Sequence, residues 1–123
     1  MIRTLDIARD ARAPVVARRV LDDVASDFEP ARLEDARLLL TELVTNSVRH
    51  GQGDHVRVIL DRQDGDVLRC EVVDDGHGFL PIARARSEDQ IGGWGLQLVE
   101  RMATSWGVRE GSTHVWFELP ARR

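Results

Sequence analysis

Three groups of residues in this chain of 123 have types and spacings that can do chemistry. The first is the stretch Glu42-Leu43-Val44-Thr45-Asn46-Ser47-Val48-Arg49-His50-Gly51. Glu42, Asn46 and His50 stand at i, i+4 and i+8, so on a helix they share one face. They border an apolar stripe of Ala36, Leu39, Leu40, Leu43 and Val48. A carboxylate at such an edge can take a proton, and an amide oxygen is a hard ligand suited to magnesium.

The second group is Asp74-Asp75-Gly76-His77-Gly78-Phe79, directly after a strand pattern. Asp74 can accept a hydrogen bond from an exocyclic amine, a charge-assisted bond of about 1.5–3 kcal/mol that selects one base. Gly76 and Gly78 let the backbone turn and approach a ligand closely. The third group, Gly92-Gly93-Trp94-Gly95-Leu96, opens a helical pattern. Free N–H groups at a helix start bind anions, and glycines admit a phosphate. Leu98 holds the place of the third glycine in G-x-G-x-x-G, so this is not the dinucleotide fingerprint. Taken singly, the three groups also describe a solvated helix face, a tight turn and a hinge.

The elements that must carry these residues follow from periodicity. Residues 2–7 alternate as an edge strand, and Pro14 suits the first turn of a helix whose stripe is Val15, Val16, Val20, Leu21, Val24 and Phe28. Pro30 ends that helix, and a second runs from about Leu33 to His50, closed by Gly51 and Gly53. Residues 56–60 and 67–73 form a hairpin around Gln63-Asp64-Gly65-Asp66. The stretch from Asp74 to Gly93, rich in Gly, Asp and Arg, is a long loop, and loops of that length in a compact domain are usually functional. A third helix spans about Gly95 to Met102, and a final hairpin joins residues 105–109 to 114–119. The order β-α-α-β-β-loop-α-β-β predicts an α+β fold: a two-layer sandwich whose mostly antiparallel mixed sheet is covered on one face by about three helices.

Composition narrows the function. The length fits a single domain, residues 1–123, with an ordinary apolar fraction and a net charge of −4. The basic residues form no stripe, which argues against nucleic acid as a partner. All 17 basic residues are arginine. Without lysine there is no P-loop lysine, no kinase strand lysine and no Schiff base. Cys70 is the only cysteine and reads as a buried thiol. His55, His77 and His114 lack metal-ligand spacing. Residues 1–13 do not resemble a signal sequence and no segment has the length of a membrane span, so a soluble cytoplasmic protein is expected.

In this order, the three groups resemble the N, G1 and G2 boxes of the GHKL ATPase superfamily, which includes gyrase, the ninety-kilodalton heat-shock chaperone, histidine kinases and the mismatch-repair ATPases. The short forms Glu-Leu-Val-Thr-Asn-x-x-x-His-Gly and Gly-Gly-Trp-Gly-Leu look most like the anti-sigma-factor serine/threonine kinases. The resemblance spans nearly the whole chain. It implies a Bergerat fold, a left-handed βαβ sandwich holding ATP and Mg2+ under a lid of roughly Leu80 to Ile91. By resemblance Asn46 binds the magnesium that bridges the phosphates, and Glu42 is the base that polarises an incoming hydroxyl. Asp74 receives the adenine amino group, with Gly76 and Gly78 shaping that end. Gly93, Gly95 and Leu96 offer N–H groups to the phosphates, Thr113 lies near the adenine, and Arg49 or His50 reaches a phosphate.

The implied partners are an anti-anti-sigma protein, which is phosphorylated, and a sigma factor, which is sequestered, with a homodimer formed near the first helix. One departure stands out: the lid offset that often carries an arginine before the G2 box holds Ile91, and Arg84 and Arg86 lie several residues earlier. The alternative is an ATP-binding interaction module without productive phosphoryl transfer, which needs Asp74 and the glycines but not Glu42. A detached histidine-kinase catalytic half is disfavoured, because only about 40 residues precede the N box, too few for a dimerising helical hairpin.

Overall fold

A computed structural model of the chain describes residues 2–63, 66–75, 99–108 and 114–121. Strand β1 (Ile2–Ala8) leads into helix α1 (Ala13–Arg18), a 3-10 stretch (Arg19–Asp27) and the long helix α2 (Pro30–His50). Strands β2 (His55–Gln63) and β3 (Val67–Val73) follow, then helical residues 99–102, β4 (Ser105–Val108) and β5 (Val115–Pro120). The expected α+β class holds, as does the order of the described strands and helices, while most of the expected loop from Asp74 to Gly93 and the start of the third helix at Gly95 lie outside the described residues. No described helix is long and apolar enough to cross a membrane.

Two helix boundaries differ from expectation. Proline lacks an N–H and has a fixed φ, so it fits the first turn of a helix as well as it ends the preceding one. Pro30 is accordingly the first residue of α2, with Glu29 before it in an extended conformation, and α2 starts three residues ahead of Leu33. The first helix keeps α geometry only to Arg18 and then tightens into the 3-10 stretch. Asp22, Asp23, Ser26 and Asp27 are poor formers of helix interiors, and a three-residue repeat still stacks Leu21 and Val24 on the core.

The five strands form one sheet in the order β1-β2-β3-β5-β4. Every pairing among them is antiparallel, with Ile7 opposite Val56, Val58 opposite Val72, and Cys70 opposite Phe117. β3 and β4 therefore run in the same direction with β5 between them, the parallel relation of a β-α-β crossover. The Asp64-Gly65 pair of the predicted hairpin turn lies outside the described residues, and Asp66 beside it has a positive φ of 61°.

Strand alternation separates two faces. Val56, Val58, Leu60, Leu68, Cys70, Val72, Phe117 and Leu119 point inward, where they meet Leu21 and Val24 and the α2 stripe of Leu33, Ala36, Leu40, Leu43 and Val44. On the opposite face the Arg69 guanidinium lies 4.0 Å over the Trp116 ring and pairs with Glu71 at 3.4 Å and Glu118 at 3.3 Å. His114 hydrogen-bonds Glu71, and Ser105 Oγ donates to Glu118 at 2.7 Å. The expected lone buried thiol is Cys70, and burial pushes its pKa well above the usual value.

Candidate functional site

The site is built where the end of α2 meets the end of β3. Glu42 and Asn46 lie one turn apart on α2 and are half-buried, at the edge of the stripe that packs on the sheet. That position lets both side chains meet a ligand while the helix stays anchored. Arg49 and His50 are exposed in the last turn, where cations complement the negative end of the helix dipole.

Asp74 is the first residue beyond β3 and is half-buried. Ser47, next to Asn46 and 7% exposed, donates its hydroxyl to Asp74 Oδ2 at 2.7 Å. A buried hydroxyl needs such a partner, and a charged acceptor makes the bond strong. This bond brings the N-box helix and the aspartate together. An ionised carboxylate has about four acceptor positions, so one bond from Ser47 orients it without exhausting it.

The turn after α2 closes around the same carboxylate. The Gly51 N–H donates to the Ser47 carbonyl at 2.7 Å, and a Cβ on Gly51 would stand 2.1 Å from Asp74 Oδ2. Only a residue without a side chain permits that approach. The Asp75 N–H donates to the Gln52 carbonyl at 3.1 Å. Gly53 has a φ of 87° and packs so tightly on Asp75 that an added Cβ would lie 2.2 Å from its Oδ2. The glycines first seen as helix stops therefore also shape the wall of the site.

Arg9, immediately after β1, grips this turn. Its Nε donates to the Gly53 carbonyl at 2.6 Å, and its Nη1 donates to the carbonyls of Ser47 at 3.0 Å and Val48 at 2.9 Å. Ser47 and Arg9 were both missed by sequence reasoning. Ser47 left a usable signal, a polar residue on the buried side of an amphipathic helix. Arg9 left none, because its partners are 38 or more residues away. The other expected site residues, Gly76, Gly78, Gly93, Gly95, Leu96 and Thr113, lie outside the described residues, as does the lid segment.

A protein of Chloroflexus aurantiacus, named an uncharacterized sensor-like histidine kinase, is 32% identical over 71 residues. The aligned part covers 58% of this chain but only 12% of that relative, so the chain spans a small fraction of its length. The family model of the histidine kinase-like ATPase domain matches residues 7–119, which include α2, Asp74, β4 and all of β5 but its last residue. The chain belongs to the histidine kinase-like ATPase domain family, within the GHKL superfamily of ATP-binding domains.

Proposed function

We propose that this is a regulatory ATP-binding domain that acts as a serine/threonine kinase on an anti-anti-sigma partner and sequesters a sigma factor. The observation that carries the reading is the Ser47–Asp74 bond, which ties a base-reading carboxylate to the helix bearing Glu42 and Asn46. Adenine would dock at Asp74 through its amino group, with the triphosphate lying along α2 towards Asn46. The Asn46 amide oxygen and the Glu42 carboxylate, half-buried on one face, are hard oxygen donors that fit a magnesium ion. Such an ion supplies charge neutralisation to the phosphates, and Asn46 would hold it.

Glu42 would then act on the partner. A serine hydroxyl held in line with the γ-phosphate must lose its proton as the new O–P bond forms, and Glu42 is placed to accept it. Binding and positioning supply most of the remaining rate. A homodimer formed near α1 belongs to the same proposal, as does a soluble, cytoplasmic setting. The module reading keeps Asp74 and Asn46 in their roles and removes only the transfer step.

The name of the Chloroflexus relative favours one further reading, the ATP-binding part of a sensor histidine kinase. One experiment separates the three. The purified protein is incubated with γ-labelled ATP and magnesium, alone and with candidate anti-anti-sigma domains or histidine-bearing helical hairpins. Acid-stable phosphoserine or phosphothreonine supports the kinase proposed here, and acid-labile label on a hairpin supports the histidine-kinase reading. Tight ATP binding without transfer to any cognate partner would favour the module.

A further inference from the structure

We infer that Arg9 is a positioning residue for base recognition, acting through the turn that holds Asp74. The inference rests on the reading of Asp74 as the adenine-binding carboxylate and adds the group that sets where that carboxylate stands. Arg9 is half-buried and fixed at its backbone, where its N–H donates to the Asp54 carbonyl at 2.9 Å. From there the guanidinium spans two pieces of chain, taking the Ser47 and Val48 carbonyls of α2 and the Gly53 carbonyl of the turn.

The last four carbonyls of a helix lack intrahelical donors, and a cation there also meets the negative end of the dipole. A cap of that kind needs only the helix. Arg9 also takes Gly53 at 2.6 Å and so holds the turn against the helix end. Three links run from this turn to the Asp74-Asp75 pair: the Gly51 backbone abuts Asp74 Oδ2, Gln52 accepts the Asp75 N–H, and Gly53 packs on Asp75. Ser47, whose carbonyl Arg9 holds, bonds Asp74 through its hydroxyl. Losing the guanidinium frees the turn, and the carboxylate it supports moves away from the amine it must meet.

The planar fork matters as much as the charge. Arginine presents several N–H groups at fixed angles, whereas the lysine ammonium is a single point with freely rotating donors. A lysine at position 9 keeps the cation near the helix end but does not hold all three carbonyls in one geometry.

The test compares affinities for ATP and for purine riboside triphosphate, which lacks the exocyclic amine, in wild type, Arg9→Ala and Arg9→Lys. Circular dichroism and thermal melts confirm that each variant is folded. Wild type should prefer ATP by about tenfold or more, the scale of one charge-assisted hydrogen bond. In Arg9→Ala the preference should fall towards one while affinity for the analogue stays near wild type, and Arg9→Lys should lie between. Adding Arg9→Ala to Asp74→Asn should change the preference no further, as expected of two residues acting in series. A folded Arg9→Ala protein that kept the wild-type preference, or that lost both ligands equally, would overturn the inference. If Arg9→Ala does not fold, wild-type discrimination in Arg9→Lys would overturn it as well. Wild-type protein that bound both nucleotides equally would sink the adenine reading itself, and this inference with it.

Discussion

The Ser47 hydroxyl, buried on α2, donates to the Asp74 carboxylate just beyond β3 across 2.7 Å. This bond joins the helix to the residue that follows the strand, so Ser47 helps to orient the Asp74 carboxylate. Ser47→Ala removes the donor and leaves the helix intact. ATP affinity should fall roughly tenfold, equivalent to about 1.5 kcal/mol. Isothermal titration checks this, and an unchanged affinity would show that the hydroxyl does not orient the carboxylate.

The proposed division of labour within the site separates binding from transfer. Asp74→Asn keeps the size of the side chain but replaces one acceptor oxygen with a donor, so ATP binding should weaken by at least about tenfold. Glu42→Ala should leave ATP affinity within about twofold and lower phosphoryl transfer by about 10²–10⁴-fold, the usual contribution of a general base. Wild-type transfer by the Glu42→Ala protein would remove Glu42 from the mechanism.

Gly51 is restricted by space, not by backbone conformation, since its φ is −80°. A Cβ there would lie 2.1 Å from Asp74 Oδ2 and 2.5 Å from the Ser47 carbonyl oxygen. Gly51→Ala must push the carboxylate or the helix end aside, at a cost of about 1–3 kcal/mol. Chemical denaturation should show that loss together with weaker ATP binding. Full stability with full binding would mean that the turn yields more readily than its contacts indicate.

Cys70 points into the core between Leu60 and Phe117, its partners in register on β2 and β3's other neighbour β5. Burial raises its pKa because the thiolate would lose its hydration, so the native thiol should resist alkylation at pH 8 and react on unfolding. The sign for stability follows from the raised value. The contribution is full below the unfolded thiol value of about 8.5 and declines as pH climbs past it, because the unfolded chain then releases a proton that the native state retains. Denaturation midpoints of wild type and Cys70→Ala should therefore converge between pH 8 and pH 10. Rapid native labelling, or parallel pH profiles, would contradict this placement.

Much of the architecture was legible because it is local. Alternation in Val67 to Val73 and in Val115 to Leu119 located two of the three inner strands, and the stripe from Leu33 to Val44 located α2. What escaped depends on distance or on competition between pitches. The tightening after Arg18 was hidden because Val20, Leu21 and Val24 satisfy a 3.6-residue stripe and a three-residue one alike. Pro30 carries the same local signal for stopping one helix and starting the next. Within the site, Glu42, Asn46 and Asp74 announced themselves by chemical type, whereas Ser47 and Arg9 matter only through partners brought close by the sheet. The placement of β5 between β3 and β4 is likewise a property of the assembled sheet, invisible to any window of sequence.

That placement sets an order of events for a chain made from its N-terminus. Arg9, Ser47, the glycine turn and Asp74 all emerge before the strand that flanks β3 on its far side. Until Val115 to Pro120 arrives, β3 is a bare sheet edge, exposing unpaired N–H and C=O groups and one wall of the core. Closing the loop between Val73 and Val115 must offset its chain entropy before any contact rewards it, which makes this a slow step in folding. The nascent protein thus holds the proposed nucleotide-binding corner and an unpaired sheet edge at the same moment, and pairing with β5 removes the hazard.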